Sequence, residues 1–124
     1  MTNWNKYGSP LEIRDRDLKS LRTFLDKSFK NVDDELYWDV NDEGEIYPVD
    51  SRSEKPYHWL PGLIEIVKWL KKNRINHESG YAFTYQNEED PDERSVGGIN
   101  SNNEGVTFIE VDGDGKITKE FHKI

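Results

Sequence analysis

Residues 110–117 read EVDGDGKI, and the fold turns on whether this is the first half of a calcium loop between two helices or the tip of a hairpin between two strands. With Gly115 at the sixth position of an EF-hand loop, Glu110, Asp112 and Asp114 occupy the first, third and fifth, and Ile117 the eighth. The twelfth position is then Phe121, which has no oxygen for the bidentate contact the ion needs there. The flanks, VTFIEV and KITKEF, are built from β-branched and aromatic residues in alternation, as strands are. Asp-Gly and Gly supply the positive φ angles of tight hairpins. The stretch therefore reads as a hairpin turn with Asp112 and Asp114 solvated.

Working outward, GYAFTYQ (80–86), GVTFIEV (105–111) and KITKEFHKI (116–124) read as strands. Upstream, LIEIVKWLKKN (63–73) spreads Leu63, Ile64, Ile66, Val67, Trp69 and Leu70 over a broad apolar face, the mark of a well-buried helix, and Pro61 suits its first turn. An earlier helix is predicted within residues 14–31, where Leu18, Leu21, Phe24, Leu25 and Phe29 recur at spacings of three and four. Asp15 or Asp17 would cap its start, and Lys27 and Lys30 would oppose the dipole at its end. Between the helices, LYWDV and EIYPVD flank the turn-rich NDEG and predict a hairpin over residues 36–49, with Pro48 near a strand end. An extended piece from Trp4 to Ile13 opens the chain.

The expected fold is one α+β domain over residues 1–124: a largely antiparallel sheet of about five to six strands with two helices packed on one face, in the order β-α-β-β-α-β-β-β. Residues 86–105 fit this scheme poorly. They are read as a long irregular loop that hides at most a short strand around Ser95 to Ile99, with a bend at Gly97 and Gly98.

The 124-residue chain holds fifteen aromatic residues (Trp 4, Tyr 6, Phe 5), enough for a small dense core despite a charged fraction of 34%. It has no Cys, which removes disulfides, thiolate catalysis and Cys-based zinc sites. No apolar run reaches the ~20 residues of a membrane span, so a soluble cytoplasmic protein is expected. The three His residues, His58, His77 and His122, lie in separate segments without metal-ligand spacing, and no nucleophile or phosphate-loop motif occurs. No catalytic residue, cofactor or metal is assigned.

Charge is the distinctive feature. The net value is −8, distributed as +3 over residues 1–30, −8 over 31–50, +4 over 51–74, −9 over 75–115 and +2 over 116–124. Such acidic segments repel phosphate, so direct nucleic-acid binding is not expected. The expectation is a small non-enzymatic protein that binds and inhibits a basic protein, a nucleic-acid-binding one being the special case. In size and charge it is similar to phage anti-restriction and anti-CRISPR inhibitors and to immunity proteins against nuclease toxins, although no motif identifies such a family. The residues expected to meet the partner are Glu88, Glu89, Asp90, Asp92 and Glu93 in the long loop, Asp39, Asp42, Glu43 and Glu45 in the first hairpin, and Trp59 as an aromatic anchor. The alternative is a small enzyme or ligand-binding domain with a cleft between the 86–105 loop and the second helix.

Overall fold

The computed structural model describes residues 2–6, 13–28, 38–48 and 55–124. The elements in chain order are β1 (Thr2–Lys6), α1 (Asp15–Ser28), β2 (Trp38–Val40), β3 (Ile46–Pro48), a 3-10 turn (Pro56–Trp59), α2 (Leu60–Lys72), β4 (Glu78–Gln86), β5 (Arg94–Asn102), β6 (Gly105–Asp112) and β7 (Ile117–Lys123). The main sheet has five strands in the order β1-β4-β5-β6-β7, and β2 and β3 form a separate two-stranded sheet. Every pairing is antiparallel, so the α+β class and the antiparallel sheet are as expected.

Two details differ from expectation. Residues 86–105 are not a long loop: β5 runs through them, paired over its whole length with β4 and almost all of it with β6. Its sequence RSVGGINSN lacks the aromatic and β-branched density of an autonomous strand. Cross-strand hydrogen bonds on both edges hold it instead. Gly97 is not a bend but a close approach, because a Cβ there would meet the Ile109 carbonyl and lie 2.8 Å from the Phe83 ring. The closest helix contacts are divided. α2 lies against β5 and β6, whereas α1 packs on β2, and the two helices meet where Phe24 stacks on Trp69 at 5.6 Å.

The inner face of the main sheet carries Tyr81, Phe83, Ile99, Val106 and Phe108, all buried with Leu63, Ile66, Val67 and Leu70 of α2 in one core. Phe83 and Phe108 stack across the sheet at 5.8 Å, and Tyr57 of the 3-10 turn meets Phe108 edge-on at 5.3 Å. Two hydrogen bonds tie the small sheet into this core. Trp38 Nε1 donates to the Trp59 carbonyl at 2.8 Å, and the Tyr81 hydroxyl donates to the Ile46 carbonyl at 2.6 Å. Pro48, without an amide to donate, is paired with Trp38 in β3. Asp15 and Asp17 lie in the first turn of α1, while the predicted Phe29 and Lys30 end of that helix falls outside the described residues, as do Leu36, Tyr37 and Val49 of the predicted hairpin. No helix among the described residues is long and apolar enough to cross a membrane.

Candidate functional site: an acidic end of the sheet

The strands β4 to β7 run as a meander, so alternate turns fall at the same end of the sheet. The turn at residues 87–93 and the turn at 112–116 are therefore neighbours: a Cβ on Gly113 would sit 3.2 Å from the Asp92 carbonyl and 3.4 Å from Cγ of Arg94.

Each turn is fixed by short polar side chains. In the first, the amide of Asn87 donates to the Glu93 carbonyl at 2.9 Å, and that of Glu93 to the Asp90 carbonyl at 2.9 Å. The Asn87 Oδ1 accepts from the Glu89 amide at 2.9 Å, and Gln86 Nε2 reaches the Pro91 carbonyl at 3.1 Å. In the second, the Asp112 carboxylate accepts from the amides of Asp114 at 3.0 Å and Lys116 at 2.9 Å, while Gly115 takes φ +83°. EVDGDGKI is thus a hairpin turn. Asp112 is half-buried and occupied by backbone amides, and of the pair Asp114 is the exposed one. Among the described residues, no group of three or more His, Asp or Glu side chains is arranged to hold a metal ion.

Glu88, Glu89, Asp90 and Asp92 are exposed. Glu93 is different. Its Oε1 lies 2.5 Å from Lys55 Nζ and its Oε2 accepts from Asn87 Nδ2 at 2.9 Å. The bond from Lys55, then that from Asn87, holds the Glu93 carboxyl below its ordinary pKa, and the same contact holds the Lys55 ammonium above its own. Glu93 is a strut of the turn more than a free charge.

The second group expected at the site lies elsewhere. Asp42 and Glu43 are exposed at the β2–β3 turn, Asp39 and Glu45 are half-buried beside it, and Arg22 of α1 pairs with Asp42 at 2.5 Å. This turn is pinned to Ile13, whose amide donates to the Gly44 carbonyl at 2.9 Å. Ile13 in turn shares a small cavity of about 200 Å³ with Arg74, Ile75 and Asn76, just before β4 begins. The 87–93 turn follows the other end of β4, nine residues along, a separation of about 25–30 Å. The two acidic turns therefore do not form one surface. Trp59 is removed from it altogether: it is fully buried beneath the start of α2.

Where β5 faces α2, Ile99 and Ile66 are both fully buried in the common core. His77 does not face the acidic turn either. It precedes the far end of β4, where its Nε2 lies 3.1 Å from the Ser101 hydroxyl, itself 2.5 Å from the Ser79 hydroxyl. Both serines are buried, at 5% and 3% exposure, which leaves a substrate no access to them.

What the residue-by-residue reading missed is the joining of 87–93 with 112–116. The signal lay in the meander: once residues 94–102 are a strand, the parity of hairpins puts both turns at one end. A hollow of about 460 Å³ opens beside them on the outer face, over Thr84, Arg94, Val96, Val111 and Gly113. No family model matches this chain, and neither a curated protein nor a solved structure does.

Proposed function

We propose that this is a non-enzymatic binding protein whose acidic sheet end docks on a basic surface of another protein. The supporting observation is the convergence of two hydrogen-bonded turns that carry seven carboxylates, Glu88, Glu89, Asp90, Asp92, Glu93, Asp112 and Asp114, with Lys55, Arg94 and Lys116 as the cations beside them among the described residues. A fixed array of like charge raises the encounter rate with an opposite field and needs little reordering on contact. Large cationic surfaces are commonly grooves that hold nucleic acid, so the partner class is a nuclease or another nucleic-acid-binding protein, and occupancy would inhibit it. Anti-restriction, anti-CRISPR and toxin-immunity proteins are inhibitors of this kind. The Asp39, Asp42, Glu43 and Glu45 turn is a separate, secondary contact under this reading.

The test compares the wild type with a variant carrying Glu88→Gln, Glu89→Gln, Asp90→Asn and Asp92→Asn, leaving the Glu93 strut intact. A basic protein captured from host extract by the wild type should associate with the variant about tenfold more slowly at low salt, and duplex DNA should compete for it. Equal capture and equal association rates for the two proteins would overturn the proposal.

A further inference from the structure

The outer face of the main sheet is ordered in rows that the strand register defines. Thr84, Val96, Val111 and Ile117 stand side by side across β4 to β7. Next come Ala82, Gly98, Ile109 and Lys119, then Gly80, Asn100, Thr107 and Phe121, and last Glu78, Asn102, Gly105 and Lys123. An antiparallel face left to water ordinarily alternates to polar residues. Here Val96, Ile117 and Phe121 are 53%, 67% and 59% exposed on it. The face is also asymmetric. Its β6–β7 half carries the bulk, in Ile109, Val111, Ile117 and Phe121, whereas the β4–β5 half has Gly80, Ala82, Gly98 and the hollow beside Thr84 and Val96.

Charge is divided one strand further over. The outer positions of β5, β6 and β7 hold no carboxylate; their cations are Arg94, Lys119 and Lys123. The carboxylates lie on the other side, as Glu78 at one end of β4 and the 87–93 turn at the other. A surface that is bulky on one half and low on the other, with Lys123 on β7 and Glu78 on β4 in one row, is complementary to itself in shape and, at that row, in charge. Turned about a two-fold axis that runs along the strands between β5 and β6, each β7 meets the β4 of its mate. Ile117 then faces Thr84 and the hollow, Phe121 faces Gly80, Ile109 faces Gly98, and Lys123 faces Glu78.

We propose that this face is the interface of a homodimer, with a second copy of the chain as its occupant. The inference uses the sheet face and not the acidic turns, although the same axis places the 87–93 turn of one copy beside the 112–116 turn of the other, where salt must screen their carboxylates. Strands of up to nine residues in β4 to β7 cover about 500 Å² per copy at ~3.3 Å per residue and ~4.8 Å per strand. The pair then buries about 1,000 Å², the lower bound for a specific interface, which points to a dimer of micromolar strength. Aligned face-to-face packing of two twisted sheets accommodates such a pair, with strands crossing at about 30°.

Sedimentation equilibrium from about 1 to 300 µM, a range set by that micromolar strength, should show a mass rising from 14.6 kDa to twice that value. Ile117→Glu and, separately, Phe121→Glu should raise the dimer dissociation constant at least about tenfold, since each places an unpaired charge in the apolar contact. Both sites are exposed, so melting temperatures should hold; if Phe121→Glu unfolds through loss of its cover over Gly105, Ile117→Glu still decides. Lys123→Glu and Glu78→Lys should each weaken the dimer roughly two- to fivefold, and the double exchange should restore it. A chain that stays at 14.6 kDa throughout, or a dimer that Ile117→Glu leaves intact, overturns the proposal. So does a failure of the double exchange to recover what the single exchanges lose.

Discussion

Lys55 Nζ lies 2.5 Å from Glu93 Oε1, a contact that ties the entry to α2 to the last residue of the acidic turn. Glu93 is held below its ordinary pKa, so its contribution to stability is complete above the unfolded carboxylate value and is lost as pH falls through the folded one. Lys55 is held above its own, so its contribution is complete below the unfolded ammonium value and is lost as pH rises through the folded one. Between those limits the pair is constant. In carboxyl NMR titration, Glu93 should have a lower midpoint than a free glutamate, and Lys55→Met should raise it. Thermal stability at neutral pH should change little, because both side chains are substantially solvated.

His77 shifts for a different reason from the ion pair. Burial lowers its pKa, and the Asn103 side chain offsets this only in part. The unfolded chain therefore takes up the proton first. The stabilising effect of a neutral His77 is complete above the unfolded value of about 6.5 and is lost as pH falls from there through the folded pKa. Denaturant midpoints of the wild type should decline over that window, and His77→Gln should flatten the decline.

Tyr81 carries the hydrogen bond that joins the two sheets. Tyr81→Phe would leave the Ile46 carbonyl without its 2.6 Å donor in a buried site. The expected cost is about 1–3 kcal/mol in urea unfolding, with the ring contact to Trp38 at 5.7 Å retained. Near-UV circular dichroism should stay close to that of the wild type.

Gly97 is where β5 comes closest to its neighbours. Gly97→Ala would push a methyl against the Ile109 carbonyl and the Phe83 ring, and backbone cannot yield as a flexible side chain can. Overpacking of this kind typically costs about 1–3 kcal/mol, and more where backbone must shift. Gly115→Ala tests a different cause: nothing lies within 4 Å of the added methyl, but the φ of +83° opposes it, so a smaller loss of about 1 kcal/mol is expected.

Local patterns determined a large part of this protein. The spacing of Leu18, Leu21 and Leu25 sufficed for α1, the apolar breadth of residues 63–70 for α2, and the alternation around Tyr81 and Phe83 for β4, because each element had to bury a stripe whose period is visible in the chain. The chemistry of Phe121 was enough to settle EVDGDGKI. Strand β5 was not legible, since RSVGGINSN owes its conformation to two partner strands and not to its own propensity. With β5 unread, the parity of the meander was hidden, and with it the meeting of the 87–93 and 112–116 turns. Trp59 looked like a loop aromatic because its neighbours are Pro, His and Tyr; only tertiary packing placed it under α2, fully buried. Charge followed the same division. Its amount along the chain is a property of composition, but which carboxylates stand together is set by which strand ends coincide, and that is a long-range relation no local window contains.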